Sequence, residues 1–553
     1  MEKFFPYLSS KGPAPNHNDV LAAYRASLAL DFQNGSIHPL VLPYHLYGCL
    51  LVVIYLCIPH TKSPVIYAAR WPVLAAVWAW QWKTLWETTS MSMATAFAAG
   101  LVAAFGAVWS FTWLVLERPQ WEARRVERRR RDTGRLGEGR QEGSEKGHGG
   151  GNIEEIKQGN GKTTGHANGS ADLKYREKTS TQTNGQVQKT DVTEYEYYWQ
   201  SYPSALRPRI DWVCDLLMNF RGPGWNWAIQ PLPPLPADIA SQLGQEITTR
   251  HKSGISSVGL QRYNTRRELA RARLPTFIIG YFVLDVLKLV MMKDPYYIIG
   301  PNTYALPSHL QGYSPLTLQL YRQTLSAVAI ISSLEMTFLL APIILALVLG
   351  PQILGLRGEP LYYPTIWGSF SNITRKGLNG LWGGWWHQTF RFIFASPSNY
   401  LIKYNYVSPK SSIAKFLAFV FAFGISGVLH SAGSISQYPP SYPTHAPIFF
   451  MLQALGIVLQ MSFCSLLSPV IKKLPSGLRK TGNFTFVFLW MFYTGWWLTD
   501  DFARGGIWLY EPIPVSLLRG LGFGERGDGW WCWTHLGVGW YRGEKWWQSG
   551  IAI

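Results

Sequence analysis

Eight apolar runs, each close to the length of a bilayer crossing, punctuate this chain at about 40–58, 64–82, 92–116, 275–292, 322–350, 413–430, 447–470 and 482–499. A hydrocarbon core of about 30 Å is crossed by ~20 helical residues. Inside lipid the backbone has no hydrogen-bonding solvent, so only helices and closed barrels can satisfy it. The runs therefore predict an all-α polytopic integral membrane protein with about eight transmembrane helices. The second run holds Pro72 and several tryptophans and is expected to be kinked or partly interfacial. The fifth is long enough to cross with tilt.

Composition agrees. Charged residues make up only 15% of the 553, where soluble domains carry roughly 25%. The 26 Trp, 28 Tyr and 27 Phe exceed what one soluble core needs and suit membrane interfaces and apolar cavities. Cys49, Cys57, Cys214, Cys464 and Cys532 form no CxxC pair, so they read as small core hydrophobes, with no disulfide frame and no metal site. The net charge of +18 invites a nucleic-acid reading. However, its densest cluster, Arg124 to Arg131, directly follows the third run, where basic residues set topology and meet anionic head groups. The first run begins near Pro39 behind a polar leader, residues 1–39, and is expected to be a first anchor rather than a cleaved signal.

Residues 40–117 would hold the first three transmembrane helices. Residues 118–197 differ in kind, being charged, then nearly pure glycine, then Thr-, Asn-, Gly- and Lys-rich. Such a segment buries too little apolar area to offset its ordering entropy, and is expected to be a disordered basic and polar loop. Its arginines favour the cytosol. Alternation then puts the N-terminus and 293–321 in the lumen, and 118–274 and 351–412 in the cytosol. Residues 198–274 mix aromatics, Gly, Pro and Arg around Trp199, Trp225 and Trp227, which predicts a cytosolic cap whose arginines could also meet the phosphates of a nucleotide-bearing donor. Residues 275–553 complete a catalytic transmembrane core. Within it, Asp285 and Lys288 stand three apart and are expected to pair across one turn. Sequons occur at Asn34, Asn168, Asn372 and Asn483.

Two places carry chemistry. His430 ends the run Phe421 to Leu429, with no other ionisable group after Lys415. An ionisable residue inside a membrane helix is costly and is by default a functional hypothesis, although a hydrogen bond between helices would also satisfy it. The small neighbours Ser426, Gly427, Ala432 and Gly433 suit either substrate space or helix packing. The second place, Gly380 to Arg391, puts Trp382, Trp385, Trp386, His387, Gln388 and Arg391 into twelve residues, too polar for lipid and too aromatic for a solvated loop. A thioester is already activated, so its transfer to an alcohol needs a base, an oxyanion donor and positioning. No G-x-S-x-G elbow, HExxH or P-loop competes, and direct attack with His430 as base is the simplest route.

The aromatic block, the His430 segment, the Trp199 to Trp227 cap and the Asp285 to Pro295 segment resemble the wax-synthase-like branch of the membrane-bound O-acyltransferases. Within it they are most similar to the fungal members that acetylate terpenoid and meroterpenoid alcohols. That family's block reads F-W-G-R-x-W-H-Q, and Leu381-Trp382-Gly383-Gly384-Trp385-Trp386-His387-Gln388 follows it. Glu359-Pro360-Leu361 and Phe370 resemble its approach, and the likeness covers most of residues 198–520. It implies that His430 is the catalytic histidine. It also implies that His387 lies near the cytosolic mouth of an internal acyl-CoA tunnel ringed by partly buried helices. The departures are Leu381 for Phe, Gly384 for Arg, and Ser431 for an acid.

The resulting expectation is an O-acyltransferase of the endoplasmic reticulum. It moves an acyl group, most simply acetyl, from acyl-CoA to the hydroxyl of a lipophilic secondary metabolite such as a terpenoid. His430 acts as base, His387 positions a reactant, and Trp382, Gln388 and Arg391 shape the donor site. No bound cofactor is expected, only the acyl-CoA co-substrate. The rivals are a long-chain wax or sterol ester synthase and, in another class, a transporter, which would carry repeated halves with interrupted helices.

Overall fold

The computed structural model describes residues 13–130, 195–533 and 538–553, so residues 131–194 of the expected disordered loop, with Asn168, lie outside the described residues. The chain forms two units, and the smaller spans Arg128–Tyr197. Its described ends belong to two paired strands, Arg125–Arg130 and Tyr195–Gln200. Within it, Arg129 pairs with Glu196 at 2.9 Å and Arg128 lies over the Tyr195 ring at 4.6 Å.

The larger unit is mostly helical. Among the described residues five helices are long and apolar enough to cross a membrane: Met93–Leu116, Arg266–Met291, Pro315–Gly358, Ser412–Ser436 and His445–Leu466. Tyr47–Cys57 is apolar but only 11 residues long. Arg70–Glu87 and Ser476–Thr494 are helical in the regions expected, but Lys83 and Glu87 in one and Arg479, Lys480 and Asn483 in the other lower their hydropathy. The Arg266–Met291 helix starts nine residues before its apolar run and continues through Pro275. Its start is set by Thr265, whose side chain accepts from Glu268 N at 3.1 Å, while Glu268 accepts from Asn264 N at 2.8 Å.

The leader contributes a helix, His17–Gln33, capped by Asn16. Val20, Tyr24 and Leu28, spaced by four, form one stripe that packs with Leu284, Leu287, Tyr297, Phe502 and Leu509. Two small sheets complete the unit's frame among the described residues: His38–Pro39 beside Thr88–Thr89, and Val41–Leu42 with Gly550–Ala552 and Gly539–Tyr541.

Asp285 and Lys288 do not pair with each other. Asp285 accepts from Ser516 Oγ and from Leu518 N at 3.2 Å. Lys288 Nζ donates to the carbonyls of Trp508 (2.8 Å) and Tyr510 (3.1 Å) and meets Glu511 at 3.5 Å. Both side chains are buried, and each stitches its helix to the C-terminal segment instead. A pair three residues apart on a helix holds only a few tenths of a kcal/mol, whereas a buried charge demands a fuller set of partners.

The cap surrounds Trp212 and Trp225, both buried. Arg125 bridges Asp211 and Asp215, and Arg357 joins Asp215 at 2.7 Å and Glu127 at 3.1 Å. This network ties the Leu206–Met218 helix to the segment that approaches the aromatic block.

Candidate active site

The Ser412–Ser436 helix is central, packing against Met93–Phe111, His445–Leu466 and Arg391–Lys403. It starts at Ser411, whose side chain caps Ala414 N at 3.1 Å. Its small residues are filled by neighbours. A Cβ on Gly433 would stand 2.5 Å from the Phe97 ring, and one on Gly427 would stand 2.8 Å from Pro447 Cα. Of the two roles open to these residues, Gly427 and Gly433 therefore take helix packing.

The same close approach delivers aromatic walls to His430. Its ring centroid lies 4.9 Å from that of Phe450 and 6.3 Å from that of Phe97. His430 Nδ1 lies 2.9 Å from the carbonyl oxygen of Ser426, one turn back. A carbonyl only accepts, so Nδ1 carries the proton and Nε2 holds the lone pair. Among the described residues Nε2 has no hydrogen-bond partner; it is not among the fully enclosed polar atoms, and the residue keeps part of its surface accessible. Asp501, fully buried, pins the helix end. It accepts from Ser434 Oγ and Ser441 Oγ, both at 2.6 Å, and from Tyr442 N at 2.7 Å.

The aromatic block folds as a broken helix. Gly377 adopts φ +59°, where a side chain would be strained and would also collide with Gln460. Gln460 Oε1 instead accepts from Leu378 N at 2.8 Å across this break. A widened turn, Leu381–Trp385, follows. At Gly384, where the resembled family carries Arg, a Cβ would stand 2.9 Å from the Asn372 side chain, so any larger residue would have to displace Asn372.

Gln388 is buried and spends its whole amide on this block. Nε2 donates to Trp386 O (2.6 Å) and Trp382 O (3.1 Å), and Oε1 accepts from Arg391 Nη1 at 2.6 Å. Arg391 Nη1 also reaches Gly383 O at 3.1 Å. Trp382 Nε1 points to Gln453 Oε1 at 3.4 Å. Gln388 thus shapes its surroundings by holding the backbone, with no atom left over for a ligand.

His387 stands among Trp386 (5.4 Å), Phe338 (5.8 Å), Phe390 (5.9 Å) and Trp367 (6.0 Å). Its Nδ1 is enclosed and makes no hydrogen bond. Burial, reinforced by His430 and then Arg221, pushes its pKa down to about 3, which keeps the imidazole neutral. Ring contacts join the two histidines: His387 to Trp386, Trp386 to Trp382 (5.3 Å), Trp382 to Phe450 (6.2 Å) and Phe450 to His430. The five sequence-selected residues therefore gather around one aromatic wall.

Several contributors gave no local signal. Trp367 is held by Glu335, whose Oε2 accepts from its Nε1 at 2.8 Å while Oε1 pairs with Arg273 at 2.5 Å. Glu335, Trp367, Phe450 and Asp501 are ordinary in sequence and take their parts only through contacts far along the chain. A carboxylate within an apolar helix was the one available clue, at Glu335.

Comparison with known proteins converges on the same segment. Residues 363–452 match the membrane bound O-acyl transferase family, a stretch that contains both His387 and His430. The chain is 29% identical to acetyltransferase eriL of Hericium erinaceus over 164 residues, which is 29% of this chain and 41% of the relative. It is 23% identical to O-mevalon transferase macI of Penicillium terrestre over 339 residues, 58% of this chain and 65% of the relative. It is 23% identical to acetyltransferase pyr8 of Aspergillus fumigatus over 351 residues, 61% of this chain and 74% of the relative. The match to each of the first two relatives spans less than two thirds of its length. No solved structure matches. The likeness to the membrane-bound O-acyltransferases, and to fungal acyl-transferring members among them, holds.

Proposed function

We propose, from the membrane bound O-acyl transferase match over residues 363–452, that this chain moves an acyl group from acyl-CoA to the hydroxyl of a lipophilic secondary metabolite. His430 is the general base. The observation that carries this reading is the tautomer of His430, with Nδ1–H committed to Ser426 O and an accessible, unbonded Nε2. The alcohol oxygen attacks the thioester carbonyl while its proton passes to Nε2. The tetrahedral intermediate then expels the CoA thiolate, which takes that proton. Ester and CoA leave, and no acyl-enzyme forms. Proton transfer of this kind contributes about 100- to 10,000-fold to rate.

His387 serves as a neutral positioning group for the donor through Nε2, which is not among the fully enclosed atoms, while its enclosed Nδ1 stays out of a reactant's reach. The ring wall from His387 to His430 is the side along which we place the acyl chain, in a tunnel entered from the cytosol. The donor is acetyl-CoA and the acceptor a terpenoid-type alcohol, an assignment supported by relatives named acetyltransferases. The O-mevalon transferases among the relatives keep larger acyl groups in play as a second reading. We further place the protein in the endoplasmic reticulum with about eight crossings, adding the Tyr47–Cys57, Arg70–Glu87 and Ser476–Thr494 helices to the five apolar ones.

Microsomes that express the chain, supplied with radiolabelled acetyl-CoA and a panel of terpenoid alcohols, should form a labelled ester. The His430→Ala variant should form none at equal abundance. Full turnover by that variant would refute the assignment.

A further inference from the structure

His430 stands less than two turns before its helix ends at Ser436. Helix ends fray, and their last carbonyls lack partners within the helix. Gln437, the residue after the end, is extended, so the closure comes from elsewhere in the fold. Ser436 O accepts from Thr89 Oγ1 at 2.8 Å, and Ser434 O from Ser441 N at 3.1 Å. Ser436 Oγ donates to Ala96 O at 2.6 Å and accepts from Gly100 N at 3.0 Å. The His430 ring is held from the other direction, by Ser426 O on the turn before.

Ser434 lies one turn beyond His430, and its hydroxyl has two acceptors in reach. These are His430 O at 3.2 Å and Asp501 Oδ2 at 2.6 Å. A hydroxyl has one proton to give, and the shorter, charge-assisted bond to the carboxylate prevails. The alternative, a bond back to the carbonyl four residues earlier, bends helices. Here the bend would fall on His430 itself. Asp501 is fully buried and cannot exchange its donors for water. It is fixed by three of them: Ser434 Oγ, Ser441 Oγ and Tyr442 N. Asp500, its neighbour in the chain, faces elsewhere and accepts from Tyr296 Oη at 2.7 Å.

We propose that Asp501 is the positioning residue for the base. Through Ser434 it keeps the His430 turn straight and holds Nε2 at the reach that proton transfer requires. This rests on the general-base reading of His430 above. Asp501 acts without touching either reactant, and its effect is therefore on the rate of the chemical step and not on donor binding. A displacement of about 1 Å in a reacting geometry costs on the order of 100-fold in rate.

The test uses the full chain in phosphatidylcholine nanodiscs, with acetyl-CoA and an alcohol that wild type acetylates. Ser434→Ala and Asp501→Asn should each lower kcat by about 10- to 100-fold, with KM for acetyl-CoA unchanged. Their solvent deuterium isotope effect on kcat should exceed that of wild type, because a misplaced base slows proton transfer. The double variant should lose no more than the worse single one, since both act through one bond. Two variants separate positioning from general support. Ser441→Ala removes an equally short bond to the same carboxylate, and should lower the unfolding midpoint as much as Ser434→Ala while costing far less kcat. Asp500→Asn should leave kcat unchanged. Wild-type kcat in Ser434→Ala would overturn the proposal. So would losses of kcat that follow the unfolding midpoint through all four single variants, which would mean a structural role alone. If Asp501→Asn does not fold, Ser434→Ala against Ser441→Ala decides the matter. His430→Asn, measured alongside, keeps the two readings apart. Full turnover by that variant would defeat the base assignment, whereas its inactivity beside a fully active Ser434→Ala would remove only the positioning role. A wild type that acetylates no alcohol would defeat the acyltransferase reading and this proposal with it.

Discussion

His430 Nδ1 donates to the carbonyl oxygen of Ser426 at 2.9 Å, so the two ring nitrogens have different duties. One holds the ring to its own helix, and the other is left for the base role proposed above. His430→Asn retains a donor near the Nδ1 position and removes the Nε2 lone pair. Turnover should fall by about 100- to 10,000-fold, with expression and gel-filtration profile unchanged. Activity near wild type in this variant would show that the proton goes elsewhere.

Gln388 makes a different kind of contribution. Its amide joins Trp382 O, Trp386 O and Arg391, and Leu at this position would leave those buried groups without partners. Each unsatisfied buried group costs about 1–3 kcal/mol. Gln388→Leu should therefore lower the thermal midpoint in detergent and reduce activity in parallel. Lost activity with an unchanged midpoint would point to direct contact with a reactant.

Glu335 separates charge from hydrogen bonding. Glu335→Gln keeps an acceptor for Trp367 Nε1 but leaves Arg273 uncompensated, while Glu335→Leu removes both partners. Breaking one side of a buried pair costs about 3–5 kcal/mol, less where water reaches it, and each partner here retains some exposure. Both variants should be less stable. Only the Leu variant should release Trp367 from the His387 wall, seen as a raised KM for the donor. Equal KM values would remove Trp367 from the site.

How far the sequence could be read depended on whether a residue's role was local. His430 stood out because it is alone in an apolar run, and the aromatic block because no lipid-facing helix tolerates His, Gln and Arg together. Partners were another matter. Asp285 and Lys288, three apart, invited a local pair, yet they reach Ser516 and Trp508, more than two hundred residues away. Arg221 looked like one basic residue of a cap among several; its hold on the carbonyls of Pro364 and Thr365 emerges only in three dimensions. The leader likewise carried the Val20, Tyr24 and Leu28 stripe, hidden because its polar face dilutes the average. Crossings were legible where hydropathy alone decides. They stayed open for Arg70–Glu87 and Ser476–Thr494, where polar residues share the helix.

Two of the sequons should carry no glycan whichever side of the membrane they face. Asn372 Nδ2 donates to Val258 O (2.9 Å) and Ser369 O (2.8 Å), and the residue is buried. Asn483 Nδ2 donates to Thr374 O at 3.0 Å while its oxygen accepts from Gln460 at 3.2 Å. Asn34 is exposed at the end of its helix. Replacing Asn372 or Asn483 with Gln should leave the glycosidase-sensitive mobility of the expressed chain unchanged. A lost band shift in either would mean that the amide is free during synthesis.

The last prediction concerns acid. His387 has an ordinary pKa of 6.5 when exposed and is pushed down to about 3 in the fold, by burial first and then by His430 and Arg221. Between those values the unfolded chain holds a proton at this site and the native chain does not. Stability therefore rises with pH across the interval. The contribution is complete above pH 6.5 and is lost as pH falls toward 3. Carboxylates elsewhere also titrate in the lower part of this window, so the useful comparison is a neutral replacement. His387→Gln should show a flatter dependence of unfolding midpoint on pH between 6.5 and 4.5 than wild type, even if its midpoint at pH 7.5 is lower. Parallel curves would mean that the native imidazole takes up a proton as readily as the unfolded one. The enclosed, neutral histidine beside Arg221 would then be lost, and with it the reason for regarding the surrounding rings as a dry wall.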